Sequence, residues 1–170
     1  MDNLLALFPS LNVVILVSFI AAYVLHLLFI RNTKLLIDIV AVYMSLFIVA
    51  VLPLWYDPMH TWLQGHVYSR ILLFAVLVIG LHILLSWSNI KTFSRRVHPL
   101  NHTTSFVYRV AIMGLIFAVM IHILPDDIRL SLSGLVYLLF SSTWSLFAWL
   151  IFPLILAFTY KYKTQNGWLE

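Results

Sequence analysis

Cysteine is absent from this chain. Its absence removes disulfide scaffolds, thiolate metal sites, covalent c-type haem and cysteine nucleophiles in one step. Charge is scarce as well: Asp, Glu, Lys and Arg together make up 9% of the residues, and only 6 are acidic. A soluble domain carries about 25% charged residues, so a water-facing shell cannot be built from this composition. Glycine occurs 5 times, and no glycine-rich phosphate loop can be traced. Neither G-x-S-x-G nor H-E-x-x-H occurs, and the adjacent acids Asp126 and Asp127 sit at a helix start, where the helix dipole accounts for them. The expectation is therefore a non-enzymatic protein without a metal site or cofactor.

What is abundant is apolar surface. Hydrophobic residues make up 63% of the chain and the mean hydropathy is +1.02. A bilayer core about 30 Å thick needs about 20 apolar residues of helix. Runs of that size, bounded by charges or Pro, fall at 11–30, 35–55, 71–88, 105–124 and 133–160. The expected fold is all-α: a single polytopic membrane domain over residues 1–170 with about five transmembrane helices. The last run exceeds one span and is expected to tilt, to start in the interface or to bend near Pro153. Residues 1–10 carry no basic segment or small-residue cleavage site, so the first helix is expected to stay as a span.

Orientation follows from the basic residues. Alternation puts Arg31, Lys34, Lys91, Arg95, Arg96, Lys161 and Lys163 on one side, and only Arg70 and Arg129 on the other. The richer side is expected to be cytoplasmic, with the N-terminus outside and the C-terminus inside, in a bacterial-type cytoplasmic membrane. The pI of about 9.5 is then a topology signature and not a sign of nucleic-acid binding.

Two connections have helical patterning of their own. Asp57-Pro58 is a helix-start signal, and Met59, Trp62, Leu63 and Val67 then fall near one face, which predicts a short amphipathic helix on the outer interface. On the cytoplasmic side Ile90, Phe93, Val97 and Leu100 share a face while Lys91, Arg95 and Arg96 point elsewhere. That is a basic interfacial helix suited to anionic lipid headgroups, or to docking a membrane-protein partner or a second copy. Trp55, Tyr56, Trp62, Trp87, Tyr108, Tyr160 and Tyr162 lie near span boundaries and read as interfacial belts. His60 and His66 are six residues apart, on different helix faces, and do not form a metal pair.

The chemistry-bearing residues inside the spans are His26, Asp38, His82 and Arg109. At 1.5 Å per residue, His26, Asp38 and Arg109 lie about 6 Å from the cytoplasmic helix ends and His82 about 9 Å. The four share one layer, whereas His122 sits at the opposite end of its helix. Ser18, Ala22 and His26 form one stripe of small residues with a polar member, Asp38, Ala41 and Ser45 a second, and Ala75, His82 and Ser86 a third. Small-residue stripes are where membrane helices approach closely. One reading pairs Asp38 with Lys34 or Arg109 and makes the layer structural. A second makes it a cytoplasm-facing vestibule for protons or a small polar solute, with Arg109 drawing anions. A third places a b-type haem between His26 and His82. Further along, the hydroxyls of Ser141, Ser142, Thr143 and Ser145 are expected to bond back to helix carbonyls and serve packing.

The tight basic turn RNTK, the amphipathic outer segment around Trp62, the third span, the basic cytoplasmic segment and RVAIMGL together form a layout over residues 5–124. It resembles the bacterial colicin V production protein family of small inner-membrane proteins. The resemblance implies an accessory or scaffolding role in the cell envelope and carries over no catalytic residue.

Overall fold

The structure is a computed structural model that describes residues 10–55, 58, 62, 63, 68–88, 97, 98, 102–158, 161–164, 167 and 168. Four long apolar helices run α1 Leu11–Phe29, α2 Leu35–Trp55, α3 Ser69–Trp87 and α4 His102–Ile123. A three-residue 3-10 turn, Asn32–Lys34, joins α1 to α2. After α4 come the short α5 Asp126–Leu130, then α6 Gly134–Val136 continuing into a π-helical turn Tyr137–Ser141, and finally α7 Thr143–Ala157. By length and hydropathy four helices can each cross a bilayer, and the pair Gly134–Ser141 and Thr143–Ala157 makes a fifth if taken as one bent span. The architecture is that of an all-α, multi-pass membrane protein.

The fifth span departs from expectation in where it bends. The axis turns by 54° between Ser141 and Thr143, while Pro153 lies fully buried inside α7. Ser142 adopts an extended backbone (φ −74°, ψ 147°), and its hydroxyl accepts from the Ser145 amide at 3.1 Å. It is an N-cap in mid-segment, so a helix end is built there with its donor satisfied by protein. Ser145 donates back to the Ser142 carbonyl at 2.7 Å, as expected of these hydroxyls, but Ser141 reaches the Arg129 carbonyl on α5 at 3.5 Å. Pro153 has no amide hydrogen to give the Trp149 carbonyl; one residue on, the Leu150 carbonyl accepts from the Tyr43 hydroxyl of α2. The proline turn is held by a neighbouring helix and does not break the span.

Helix α4 is the hub: it packs against α1, α2, α3, α7 and the π turn. Its buried set includes Tyr108, Ala111, Ile112, Leu115, Ala118, Val119 and Ile121. One core joins Leu35, Ile39, Val42 and Val49 of α2 and Phe74 of α3 to Tyr108, Ile112, Leu115 and Val119 of α4. Tyr108, expected on an interfacial belt, is fully buried, because its face of α4 packs in this core against α2 and α3. A second core joins Ala118 and Ile121 to Leu132, Val136 and Phe140, with Ile15, Leu16 and Phe19 of α1 against it.

Helix α1 packs by larger side chains than the small-residue stripe suggested. Ser18 is exposed, while Phe19 meets Phe117 edge-on with ring centroids 5.3 Å apart. Only toward its second half do Ala22 and His26 turn inward. Helix α2 does use its stripe: Asp38, Ala41 and Ser45 are all buried, and Ser45 donates to the Ala41 carbonyl at 2.7 Å.

At one end of the bundle a small antiparallel sheet, β1 Val97–His98, β2 Lys161–Thr164 and β3 Gly167–Trp168, is laid against the 3-10 turn and the start of α2. Val97 pairs with Tyr162 and His98 with Lys161. The turn at residues 31–34, the connection after α3 and the chain after α7 therefore meet at the same end. Of the proposed outer helix only Pro58, Trp62 and Leu63 fall within the described residues; Leu63 is buried and Trp62 exposed. Lys91, Arg95 and Arg96 lie outside the described residues, as do His60 and His66; of the basic interfacial helix expected around them Val97 and His98 are described, and they form strand β1 and not a helix, since their backbone pairs with Lys161 and Tyr162.

Candidate functional site

The tight turn decides the site. Three 3-10 residues reverse the chain between α1 and α2, which brings the last turn of α1 beside the first turn of α2, and so His26 beside Asp38. His26 Nε2 lies 3.3 Å from Asp38 Oδ2. From the other side His82 of α3 brings Nδ1 against Asp38 Oδ1. Asp38 is 7% exposed. Each contact pairs an imidazole nitrogen with an Asp38 oxygen, and His26 Nε2, His82 Nδ1 and Asp38 Oδ2 make no further hydrogen bond.

Asp38 pairs with neither of the partners expected for it. Lys34 and Arg109 make no ion pair with it, and both its oxygens face imidazoles. Arg109 is spent elsewhere: one terminal nitrogen donates to the His26 carbonyl at 2.8 Å, the other to the Ile30 carbonyl at 2.6 Å and to Asn32 Oδ1 at 2.8 Å. The two backbone acceptors lie at the C-terminus of α1, where the helix dipole is negative; the His26 carbonyl also accepts from the Ile30 amide at 3.0 Å. A guanidinium is well matched to this role, since its planar fork spans two acceptors at once. The anion-drawing role expected for Arg109 has little support in this geometry, because its donors already point at protein oxygens.

The same terminal nitrogen lies 3.3 Å from His26 Nδ1. A guanidinium can only donate, so Nδ1 accepts and the ring proton is assigned to Nε2, facing Asp38. On the far side His82 Nε2 is 3.4 Å from the Ser86 hydroxyl. Asn32 also accepts from Ser105 at 2.7 Å. The result is one polar chain through four helices: Ser86, His82, Asp38, His26, Arg109, Asn32 and Ser105.

The structure thus gathers His26, Asp38, His82 and Arg109 into one contiguous cluster, with Arg109 joined to it through His26. Asn32 was not among the candidate residues, although a polar side chain in the turn RNTK beside a buried arginine was its signal. His122 stands apart and contacts the Ala118 carbonyl at 2.9 Å.

Beside the cluster is a cavity of about 300 Å³, lined by His26, Asp38 and His82 at one end and by Ile30, Val42, Val78, Ile79, Ile112 and Ile116 elsewhere. A second pocket, of about 610 Å³, lies on the other side of Arg109, between Leu27, Asn32, His102, Thr103, Ser105 and Phe106. Haem does not suit the first space: both imidazoles sit on one carboxylate and not across a gap wide enough for a macrocycle. Among the described residues no group of three His, Cys, Asp or Glu side chains is arranged to hold a metal ion.

No family model, curated protein or solved structure matches this chain at a significant level.

Proposed function

We propose that this chain is a non-enzymatic membrane protein that takes up and releases protons at the cluster of His26, Asp38 and His82. One observation supports the reading: a buried carboxylate lies in contact with imidazoles from two other helices, on the wall of a cavity. Ionisable groups within membrane spans are costly, and chains of Asp and His there are characteristic of proton relays. Imidazole is also the side chain suited to changing its charge near neutral pH. In this arrangement Asp38 is the central acceptor, His82 exchanges with the Ser86 side, and His26 is oriented by Arg109. The end carrying the basic turn is taken as cytoplasmic by the excess of Lys and Arg there.

The test is reconstitution in liposomes holding a pH-sensitive dye, with an imposed potassium diffusion potential. The native chain is expected to acidify the lumen, and Asp38→Asn is expected to fall to the rate of empty liposomes while keeping its melting temperature near the native value. Native flux in Asp38→Asn refutes the reading.

A second reading, an accessory or scaffolding factor like the colicin V production proteins, draws on helix α1. No residue of α1 is buried, and Val17, Ile20, Leu28 and Phe29 are each more than half exposed. That face is free for lipid or for a membrane-protein partner, with Lys91, Arg95 and Arg96 as contacts for anionic lipid. Absence of flux in the native chain, together with a lowered melting temperature in Asp38→Asn, selects this reading.

A further inference from the structure

The cavity beside Asp38 has two unlike ends. Its polar end holds three buried atoms whose polar contacts are the pairs within the cluster: His26 Nε2, His82 Nδ1 and Asp38 Oδ2. The rest of the wall is aliphatic, from Ile30, Val42, Val78, Ile79, Ile112 and Ile116. Helix α1 leans on α4 and α6, and α3 leans on α2 and α4; α1 and α3 share no comparable packing, so a seam is left between them. Ile79, on this wall, is 61% exposed on the outer surface of α3. The space therefore reaches the bilayer sideways, at the depth of the cluster.

Charge narrows what fits. Asp38 already lies against two imidazoles, and the donors of Arg109 are already held by protein oxygens, so neither charge is left free for a charged head. A carboxylate head would lie against Asp38, and an ammonium would add an unbalanced charge to a site of low dielectric. A hydroxyl matches both kinds of group in the cluster, since it can donate to Asp38 and accept from an imidazole N–H. About 300 Å³ is at the lower limit of small-molecule pockets, with room for about ten water-sized groups. That admits a head and its first few methylenes, and leaves the remainder of a tail in the seam.

We infer that this pocket binds the hydroxyl head of a neutral, apolar-tailed alcohol drawn laterally from the bilayer between α1 and α3. The site is distinct in its readout from proton movement, because the test measures occupancy alone.

The native chain in lipid nanodiscs is exposed to hexadecanol carrying a photoreactive diazirine near its hydroxyl, and to the amine and the carboxylate of the same chain length. Labelled residues are found by mass spectrometry. The alcohol is expected to label Val42, Val78 and Ile112 about tenfold more than either charged probe, the factor produced by about 1.4 kcal/mol of head-group preference. Unlabelled hexadecanol should compete, and Ile79→Trp, at an exposed rim position that a folded chain tolerates, should abolish labelling of Val42 and Ile112. Equal labelling by all three probes, or undiminished labelling in Ile79→Trp, overturns the inference. Selective labelling in a chain without proton flux supports this site and removes the proton reading; flux without selective labelling does the reverse.

Discussion

Arg109→Met removes the guanidinium that closes the C-terminus of α1 while keeping a long apolar stem of similar reach. Three hydrogen bonds to oxygen are lost, at 2.8, 2.6 and 2.8 Å. Their consequences are unequal. The His26 carbonyl still accepts from the Ile30 amide at 3.0 Å, and Asn32 Oδ1 still accepts from Ser105 at 2.7 Å. The Ile30 carbonyl loses the donor that Arg109 gave it. Hydrogen bonds between membrane helices are worth about 0.6 kcal/mol on average and about 1.7 at most. With two losses near the mean and one near the maximum, the expected destabilisation is about 3 kcal/mol. The assay is equilibrium unfolding in mixed micelles of increasing dodecyl sulfate, followed by circular dichroism. Arg109→Lys should fall between the native chain and Arg109→Met, because an ammonium keeps the charge but cannot span two carbonyls as a planar fork does. A loss below about 1 kcal/mol in Arg109→Met would show that Arg109 does not tie α1 to the bundle, and the geometric basis for orienting His26 would go with it.

Other substitutions probe the frame that holds the cluster. A Cβ at Gly114 would come within 2.2 Å of Trp149, whose ring is fixed by donation to the Leu139 carbonyl at 2.7 Å and by stacking on Phe140. Gly114→Ala should therefore cost about 1–3 kcal/mol, and combining it with Trp149→Leu should cost less than the two losses added. Gly134 has φ +58° at the start of α6; Gly134→Ala should destabilise by about 1–2 kcal/mol in the same unfolding assay. Tyr43→Phe deletes the hydroxyl that donates to Leu150 near Pro153, and a loss of about 1 kcal/mol is expected.

Much of this molecule was legible before any tertiary contact was known, and the reason is that the relevant signals are local. Helices α1 to α4 begin and end within three residues of the runs read from hydropathy, since a bilayer-length apolar segment has no stable alternative to the helix. The common depth of His26, Asp38, His82 and Arg109 followed from a fixed rise per residue. The bend of the fifth span was less readable. Pro153 is the stronger local breaker, but Tyr43 and a close-packed core hold its turn, and the axis turns instead at Ser142, where a side chain can cap a new helix.

The partner of Asp38 was decided only in three dimensions. Depth places residues in a layer but says nothing about the rotation of each helix about its axis, which is set by the packing around α4. By distance along the chain Lys34 was the near choice, and by charge Arg109 was the strong one. The tertiary structure gives Arg109 to the carbonyls of His26 and Ile30 at the end of α1, and so leaves the carboxylate of Asp38 to the imidazoles of His26 and His82. The composition and order of residues determined that a polar layer would exist in a multi-pass membrane protein; helix packing determined which of its members touch.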